Sequence, residues 1–160
     1  MAAQRNATAT WAGDLASGSG KVSLDDSGLL TDAPVSWADR TEPARSGRTS
    51  PEELIAGAHA ACFCMALSAG LAKAGNPPKK LEVRATAAFE KQNGGFGIST
   101  ITLHVRGWVD GLEQDAFDRA AQQAGQGCPV SKALKGNVDI RVEASLAKEG
   151  STSSTAAGAN

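Results

Sequence analysis

The fold is decided by the stretch Thr49–Gly70, which reads TSPEELIAGAHAACFCMALSAG. Its start is typical of a helix N-terminus, because Ser50 can cap the helix, Pro51 suits the first helical position, and two carboxylates follow where the helix dipole is positive. No Asp, Glu, Lys or Arg occurs between Glu53 and Lys73. A helix that is apolar on nearly every side must be buried, and its many Ala and Gly residues indicate that another element packs close to its backbone.

Strands and shorter helices are predicted on both sides of this helix, which we expect to run from Pro51 to about Ala74. The patterns predict strands at 7–12, 21–24, 35–38, 81–90, 97–109 and 138–144, and helices at 113–124 and 128–134. Asn93-Gly94-Gly95 predicts a hairpin turn. Because strands and helices do not alternate regularly, we predict an α+β fold with mainly antiparallel sheets around the long helix. A sheet covers only one side of that helix, so a second copy of it, and hence a homodimer, is expected on the other.

Size and charge limit the class of protein. The chain has 160 residues, a formal net charge of −1 and a pI of about 6.1, which predict one domain without a basic surface for nucleic acid or an anionic membrane. We predict no membrane span and no secretory signal, and therefore a cytoplasmic protein. Residues 1–147 are predicted to form the domain, and the polar, low-complexity residues 148–160 a flexible tail.

Three cysteines stand in a chain that we expect in a reducing compartment, where redox or catalytic roles are more common than structural disulfides. Cys62 lies in the middle of the long helix and is either a small buried side chain or a nucleophile. Cys64 lies about 200° around the helix from Cys62, so we expect it to serve packing. Cys128 precedes a proline at a predicted helix start, where backbone N–H groups stabilise a thiolate.

The histidines do not complete a metal site by their spacing. His59 lies three residues before Cys62 and is predicted to be a core or interface histidine, while His104 lies on a distant strand. No pair of ligand doublets typical of structural zinc occurs in the sequence, and neither does a phosphate-binding glycine loop or a nucleophile elbow. We therefore predict no metal and no cofactor.

Two motifs, in this order, resemble the OsmC/Ohr family of thiol-dependent peroxidases. The first is Ser-Pro-Glu-Glu-Leu-Ile-Ala-Gly-Ala-His-Ala-Ala-Cys-Phe-Cys-Met-Ala-Leu-Ser in the long helix, and the second is Gly-Cys-Pro-Val-Ser-Lys-Ala-Leu around Cys128. Two N-terminal stretches, Trp11-x-Gly-Asp and Gly20-x-Val-Ser, resemble the OsmC branch in particular. The resemblance extends over nearly the whole chain, from about residue 10 to residue 146.

This resemblance implies roles for four residues. Cys62 corresponds to the peroxidatic cysteine, whose thiolate attacks the peroxide O–O bond, and Cys128 to the resolving cysteine that then forms an intramolecular disulfide with it. Arg40 corresponds to the loop arginine of the family. Glu52 corresponds to the carboxylate that orients this arginine, and Glu53 is the weaker candidate. Such a set is chemically consistent, because a buried thiolate needs a cation and a buried guanidinium needs a carboxylate.

Arg45 and Arg48 follow Arg40 in the polar segment 39–48, for which we predict a solvated connection, and either one is an alternative as the functional arginine. The resemblance further implies an intertwined homodimer with the active site at the subunit interface. Organic hydroperoxides are the implied substrates, with hydrogen peroxide a weaker one, and a dithiol, of the lipoyl type in the family, is the implied reductant. Two other functions stay open on the same fold: binding of a hydrophobic ligand with idle cysteines, and a redox sensor that passes its disulfide to a partner.

Overall fold

The computed structural model of this chain describes residues 2–147. In chain order the elements are β1 (Ala7–Ala12), β2 (Ser19–Leu24), β3 (Ala33–Val35), α1 (Ala38–Thr41), α2 (Pro51–Lys73), β4 (Lys80–Gln92), β5 (Gly95–Trp108), α3 (Gln114–Gly127), α4 (Pro129–Leu134) and β6 (Asp139–Leu146). The fold is α+β, as predicted, with one short helix that the sequence did not predict. The predicted tail at 148–160 lies outside the described residues, and the domain limit at residue 147 stays a prediction.

The third short strand is present, but its predicted position at 35–38 is wrong, since β3 spans Ala33–Val35 and α1 begins three residues after it. The reason is local hydrogen bonding around Ser36. Its hydroxyl accepts a bond from the backbone N–H of Asp39 at 3.4 Å and donates one to the Asp39 carboxylate at 2.6 Å. These bonds satisfy an N–H group at the start of a helical turn, and so part of the segment 39–48, predicted to be a polar connection, is helical.

Strands β1, β2 and β3 form a small antiparallel sheet in that order. Every residue of β1 is exposed, and Trp11 retains 45% of its accessible surface. A small sheet of this kind is stable only when one face packs against apolar surface. The described part of a single protomer provides β1 with no such cover.

Helix α2 begins and ends close to where the sequence predicts. The Ser50 hydroxyl accepts a hydrogen bond from the Glu53 N–H at 3.2 Å, and the chain leaves the helix through Gly75, whose φ is +83°. The helix packs against β4 and α3. Its inner face carries four buried side chains spaced four residues apart: His59, Phe63, Leu67 and Leu71.

Strands β4, β5 and β6 form the second sheet, with β5 in the centre. β4 and β5 are antiparallel and are joined at the predicted turn, Asn93-Gly94-Gly95. β5 and β6 are parallel, with Ile101 opposite Ile140, and they are the one exception to antiparallel pairing between the described strands. The exception arises because α3 and α4 connect these strands. A connection of that length returns the chain to the end of the sheet at which β5 begins, so β6 runs in the same direction as β5.

Phe117 joins α3 to the centre of this sheet. Its side chain is fully buried, and α3 packs against β6. A Cβ atom added to Gly107 of β5 would lie only 2.3 Å from the Phe117 ring. Position 107 therefore requires glycine, because the ring occupies the space that any side chain on the strand would take.

The outer face of α2 is exposed, so the prediction of burial on every side is not met within one protomer. The exposed residues are small or apolar and recur at helical spacing: Ala58, Ala61, Met65, Ala69 and Ala72. By length and composition α2 is apolar enough to cross a membrane, with a hydropathy of 1.8, a test that core helices of soluble proteins also pass. An apolar helix face of this size is typical of an interaction surface.

Candidate active site

The structure brings Cys62 and Cys128 together, although 66 positions separate them in the chain. Cys62 projects from the middle of α2, and Cys128 lies in the short link between α3 and α4. Their Sγ atoms are 3.2 Å apart, and both thiols are free. Cys128 is fully buried and Cys62 is half-buried, so the side chain with access to solvent is that of Cys62. We call these two residues the thiol pair.

The two thiols differ in how readily they ionise. Burial raises the pKa of Cys62; the backbone N–H of Val130 opposes this shift, and the nearby Cys128 sulfur adds to it. Burial acts in the same direction on Cys128, but hydrogen bonds from the Ser131 N–H, Cys62, the Ser131 hydroxyl and the Val130 N–H together outweigh it. The pKa of Cys128 therefore lies below its ordinary value. Within one protomer Cys128 therefore ionises more readily than Cys62.

A buried histidine stands behind the thiol pair. His59 is fully buried one turn before Cys62, and its Nε2 atom lies 2.8 Å from the Oγ atom of Ser131. Its second ring nitrogen, Nδ1, is also buried and has no hydrogen-bond partner among residues 2–147. The burial of His59 agrees with the prediction of a core or interface histidine. Its contact with Ser131, which lies 72 positions away, was not predicted from the sequence.

Cys64 is not part of the thiol pair. It is half-buried on another side of α2, near Met65 and Leu81, and burial raises the pKa of its thiol. This placement agrees with the packing role that its helical position predicts. Between residues 2 and 147, no group of three or more His, Cys, Asp or Glu side chains is arranged to hold a metal ion.

Arg40 and Glu52 form a second site, which we call the arginine site. The Nε and Nη2 atoms of Arg40 donate hydrogen bonds to Glu52 Oε1, at 3.0 and 2.7 Å. The guanidinium also lies over the Phe89 ring, 4.1 Å from its centroid, with Trp37 at 5.6 Å. Glu52 Oε2 is buried and has no partner in the described part of the chain. The predicted pairing of Arg40 with Glu52, rather than with the exposed Glu53, is thus present in the structure.

Arg45 is exposed, as predicted, with 49% of its side-chain surface accessible, whereas Arg48 is partly buried and does not behave as the predicted solvated residue. Arg48 donates to both carboxylate oxygens of Asp39, at 2.7 Å each, and Arg45 donates to one of them at 3.2 Å. The Asp39 side chain is only 4% exposed, and these arginines offset the burial of its charge. Sequence reasoning missed this network because Asp39 stands next to Arg40 in a stretch that looked like a polar loop.

The thiol pair and the arginine site do not meet within one protomer. Glu52 and Cys62 are ten positions apart on α2, which corresponds to about 15 Å along the helix axis at about 1.5 Å per residue. A polar cavity of about 420 Å³ opens at the arginine site and includes Arg48, Arg84 and Phe89 in its lining. A second, apolar cavity of about 370 Å³ also borders Arg40 and includes Trp11 and Leu15 in its lining.

Comparisons with known proteins agree with this architecture. A family model described as OsmC-like protein matches residues 44–143. The chain is 39% identical over 140 residues to peroxiredoxin OsmC of Escherichia coli (strain K12), which covers 88% of this chain and 96% of that protein. It is 31% identical over 125 residues to organic hydroperoxide resistance protein OhrA of Bacillus subtilis (strain 168), covering 78% of this chain and 86% of that protein.

Solved structures of similar proteins have the same fold. The crystal structure of the organic hydroperoxide resistance protein OhrB of Bacillus subtilis matches with a TM-score of 0.67 at 30% identity, covering 88% of this chain and 98% of that one. An organic hydroperoxide resistance protein from Elizabethkingia anophelis matches with a TM-score of 0.71 at 28% identity, covering 92% and 99%. The resemblance drawn from the two cysteine motifs is confirmed, and this chain belongs to the OsmC/Ohr family of OsmC-like proteins.

Proposed function

We propose that this protein is a thiol-dependent peroxidase that reduces organic hydroperoxides, and hydrogen peroxide more weakly, with Cys62 as peroxidatic and Cys128 as resolving cysteine. The observation that carries the proposal is the 3.2 Å separation of their sulfur atoms. A disulfide bond has an S–S length of about 2.0 Å, so a small side-chain movement is enough to form it. A pair of packing cysteines has no need of this proximity, and the relatives named above are peroxiredoxin and hydroperoxide resistance proteins.

The proposed reaction has two thiol steps. The Cys62 thiolate attacks the outer oxygen of ROOH, so that the S–O bond forms, the O–O bond breaks, and the alkoxide takes a proton and leaves as ROH. The Cys128 thiolate then attacks the sulfenic sulfur of Cys62, which forms the disulfide and releases hydroxide, protonated to water. A dithiol, of the lipoyl type or a small molecule, supplies the two electrons that reduce the disulfide again.

Activation of Cys62 requires a cation that its own protomer places too far away. Burial raises the pKa of Cys62, and a guanidinium next to the sulfur reverses this effect by stabilising the thiolate. Arg40 is the arginine we assign to this role, since Glu52 and Phe89 hold it at the edge of an open cavity. Arg45 and Arg48 are occupied by Asp39 instead.

A homodimer provides the missing contact between the two sites. If two α2 helices pack antiparallel across their exposed faces, with the two-fold axis near Gly57, Glu52 of one protomer lies beside Cys62 of the other. The exposed residues at that point are small, namely Gly57, Ala58 and Ala61, and allow close helix approach. The second protomer also gives the uncovered sheet of β1, β2 and β3 a surface to pack on. Each active site then combines the thiol pair of one chain with the arginine site of the other.

The preference for organic hydroperoxides follows from apolar surface beside Arg40. The cavity of about 370 Å³ is lined mainly by Trp11, Leu15, Val35 and Trp37. An alkyl or aryl group gains about 25 cal/mol for each Å² of apolar surface that it buries, whereas hydrogen peroxide has no such group. We place the protein in the cytoplasm as a soluble enzyme, where dithiol reductants are available.

The experiment that tests this function is a count of free thiols before and after one equivalent of cumene hydroperoxide. In the wild type we expect two of the three thiols to disappear, with a Cys62–Cys128 bond found by peptide mass. Cys62→Ser should not react, Cys128→Ser should stop at the sulfenic acid, and Cys64→Ser is the matched control that should react as the wild type does. Survival of all three thiols would overturn the proposal and favour a ligand-binding protein.

A further inference from the structure

A buried contact between His59 and Ser131 joins α2 to α4, the helix that begins directly after Cys128. Ser131 lies one turn after Cys128 on α4 and is only 5% exposed. Its Oγ atom lies 2.8 Å from His59 Nε2, and its hydroxyl and backbone N–H are among the groups that lower the pKa of Cys128. His59, Ser131 and Cys128 therefore form a buried cluster: Ser131 contacts the histidine and lies one turn from Cys128, whose sulfur contacts that of Cys62.

The direction of the hydrogen bond between His59 and Ser131 follows from the protonation state of the histidine. Burial lowers the pKa of His59, so the ring is neutral and carries one proton. Buried N–H groups without a partner are rarer and less favourable than unpaired acceptor atoms, and Nδ1 has no partner in residues 2–147. The proton therefore belongs on Nε2, which donates to Ser131 Oγ. The Ser131 hydroxyl then has its own proton free to donate to Cys128.

We propose that His59 and Ser131 are positioning residues for the resolving step: His59 fixes the Ser131 hydroxyl as a donor toward Cys128, and that donor stabilises the Cys128 thiolate when it attacks Cys62. The inference rests on the proposed peroxidase function and adds to it a pair of residues that do not touch the peroxide. In the step they serve, the Cys128 thiolate attacks the sulfenic sulfur, the S–S bond forms, the S–O bond breaks, and hydroxide leaves and is protonated. No oxidant beyond the hydroperoxide is required.

The same arrangement separates the two cysteines by task. Two titratable side chains of α2 face this end of α4: Cys62, which contacts the Cys128 sulfur, and His59, which contacts Ser131. Donors aimed at Cys128 leave Cys62 to be activated from the solvent-facing side, where the substrate arrives. Loss of the His59 link should slow disulfide formation but should not slow the first reaction of Cys62 with peroxide, because a less ionised Cys128 opposes the Cys62 thiolate less. A histidine that serves only packing would affect neither rate selectively.

The first test measures ionisation of Cys128 alone, through the ultraviolet absorbance of its thiolate in a Cys62→Ser, Cys64→Ser background. His59→Leu and Ser131→Ala should each raise the pH at which Cys128 ionises. His59→Gln should keep the value of its parent, because the amide nitrogen of glutamine can take the place of Nε2–H as a donor to Ser131. His59→Leu combined with Ser131→Ala should shift the titration no further than Ser131→Ala does, because the two residues act in series.

The second test follows the single turnover of the enzyme with cumene hydroperoxide, with all three cysteines present. We expect His59→Leu and Ser131→Ala to slow disulfide formation by about tenfold, the effect of a shift of one pKa unit in a thiolate. Formation of the sulfenic acid should not be slower than in the wild type, and His59→Gln should behave as the wild type in both steps.

The results that would overturn the inference are equally specific. An unchanged titration of Cys128 in Ser131→Ala would show that the hydroxyl does not hold the thiolate, and failure of His59→Gln to match its parent would show that the histidine serves packing. These two variants are small enough changes to remain informative if His59→Leu does not fold. Because the titration uses no peroxide, it decides the inference even if wild-type Cys62 proves unreactive and the proposed function fails.

Discussion

Arg48 donates hydrogen bonds to both carboxylate oxygens of Asp39, at 2.7 Å each. Asp39 directly precedes Arg40, the arginine that we assign to the active site. The Asp39 side chain is almost fully buried, and it also accepts hydrogen bonds from Arg45 and Ser36. This contact ties the end of the 39–48 segment to α1. The position of Arg40 over the Phe89 ring therefore depends on a network that contains no reacting group.

We expect Asp39→Asn to lower Tm by several degrees at neutral pH. The hydrogen bond from Arg48 holds the pKa of Asp39 far below its usual range. Burial opposes this shift, and Ser36 and Arg45 add to it. A carboxyl whose pKa is depressed in the folded state contributes stability above its unfolded pKa of about 4, and this contribution is lost as the pH falls below that value. The difference in Tm between wild type and variant should therefore narrow below about pH 4.

The measurement is thermal unfolding followed by circular dichroism across this pH range. Asp110→Asn is the matched control, because Asp110 pairs with Lys79 while 65% of its side chain is exposed, and such pairs contribute little. A Tm difference for Asp39→Asn that stays constant with pH would mean that the Asp39 charge does not stabilise this segment.

The parts of the fold that the sequence predicts are those with local signals. Ser50 and Pro51 mark the start of α2, Gly75 marks its end, and the Asn93-Gly94-Gly95 turn defines the hairpin of the second sheet. Helix α1 was missed because it has only four residues and its start depends on the hydrogen bonds of Ser36. The parallel pairing of β6 depends on the path of the chain through α3 and α4, and alternation along a strand carries no information about that path.

The candidate site divides in the same way. The roles of Cys62, Cys128, Arg40 and Glu52 came from motif resemblance, while spacing alone left Cys62 equally a packing residue. The contact between His59 and Ser131 was missed because it joins residues far apart in sequence. One signal for it was available: each residue lies three positions, about one helical turn, from a cysteine of the thiol pair.

We expect Gly107→Ala to destabilise the protein by about 1–3 kcal/mol, the usual effect of adding a methyl group to a packed core. The added Cβ atom would lie 2.3 Å from the Phe117 ring, and this fully buried ring has little room to move. The measurement is the free energy of unfolding in urea. Gly127→Ala is the control, since a Cβ atom there meets nothing within 4 Å and alanine favours the last turn of α3. Equal stability of the two variants would contradict the close packing at position 107.

Arg40→Ala should lower kcat/KM for cumene hydroperoxide by about 10²–10³-fold, the usual loss when a charge-stabilising group is removed from an active site. In this variant the rate of the Cys62 reaction should also rise at a higher pH than in the wild type, because the thiolate lacks the cation that stabilises it. Arg45→Ala is the matched control and should stay within about threefold of the wild type, a loss typical of an exposed ion pair. Arg48→Ala should show a smaller loss than Arg40→Ala, since it acts through Asp39. A large loss in Arg45→Ala with an active Arg40→Ala would reassign the functional arginine.

Mixing of two inactive variants tests whether each active site is shared between protomers. Glu52 and Cys62 lie about 15 Å apart along α2, so Arg40 reaches a cysteine only if that cysteine belongs to the partner.

When Cys62→Ser and Arg40→Ala chains are mixed, dissociated and reassociated, half of the dimers contain both variants. Each mixed dimer has one complete site, which should restore about a quarter of the wild-type activity in a two-fold symmetric dimer. Chains carrying both substitutions, mixed with wild type, are the control. Their mixed dimers contain no complete site, so only the quarter of dimers with two wild-type chains are active, whereas sites within one protomer would retain half of the activity. If each site lies within one protomer, the first mixture recovers no activity, since every chain there lacks either its cysteine or its arginine. That outcome would contradict the shared site, but it would not affect the proposed thiol chemistry of Cys62 and Cys128.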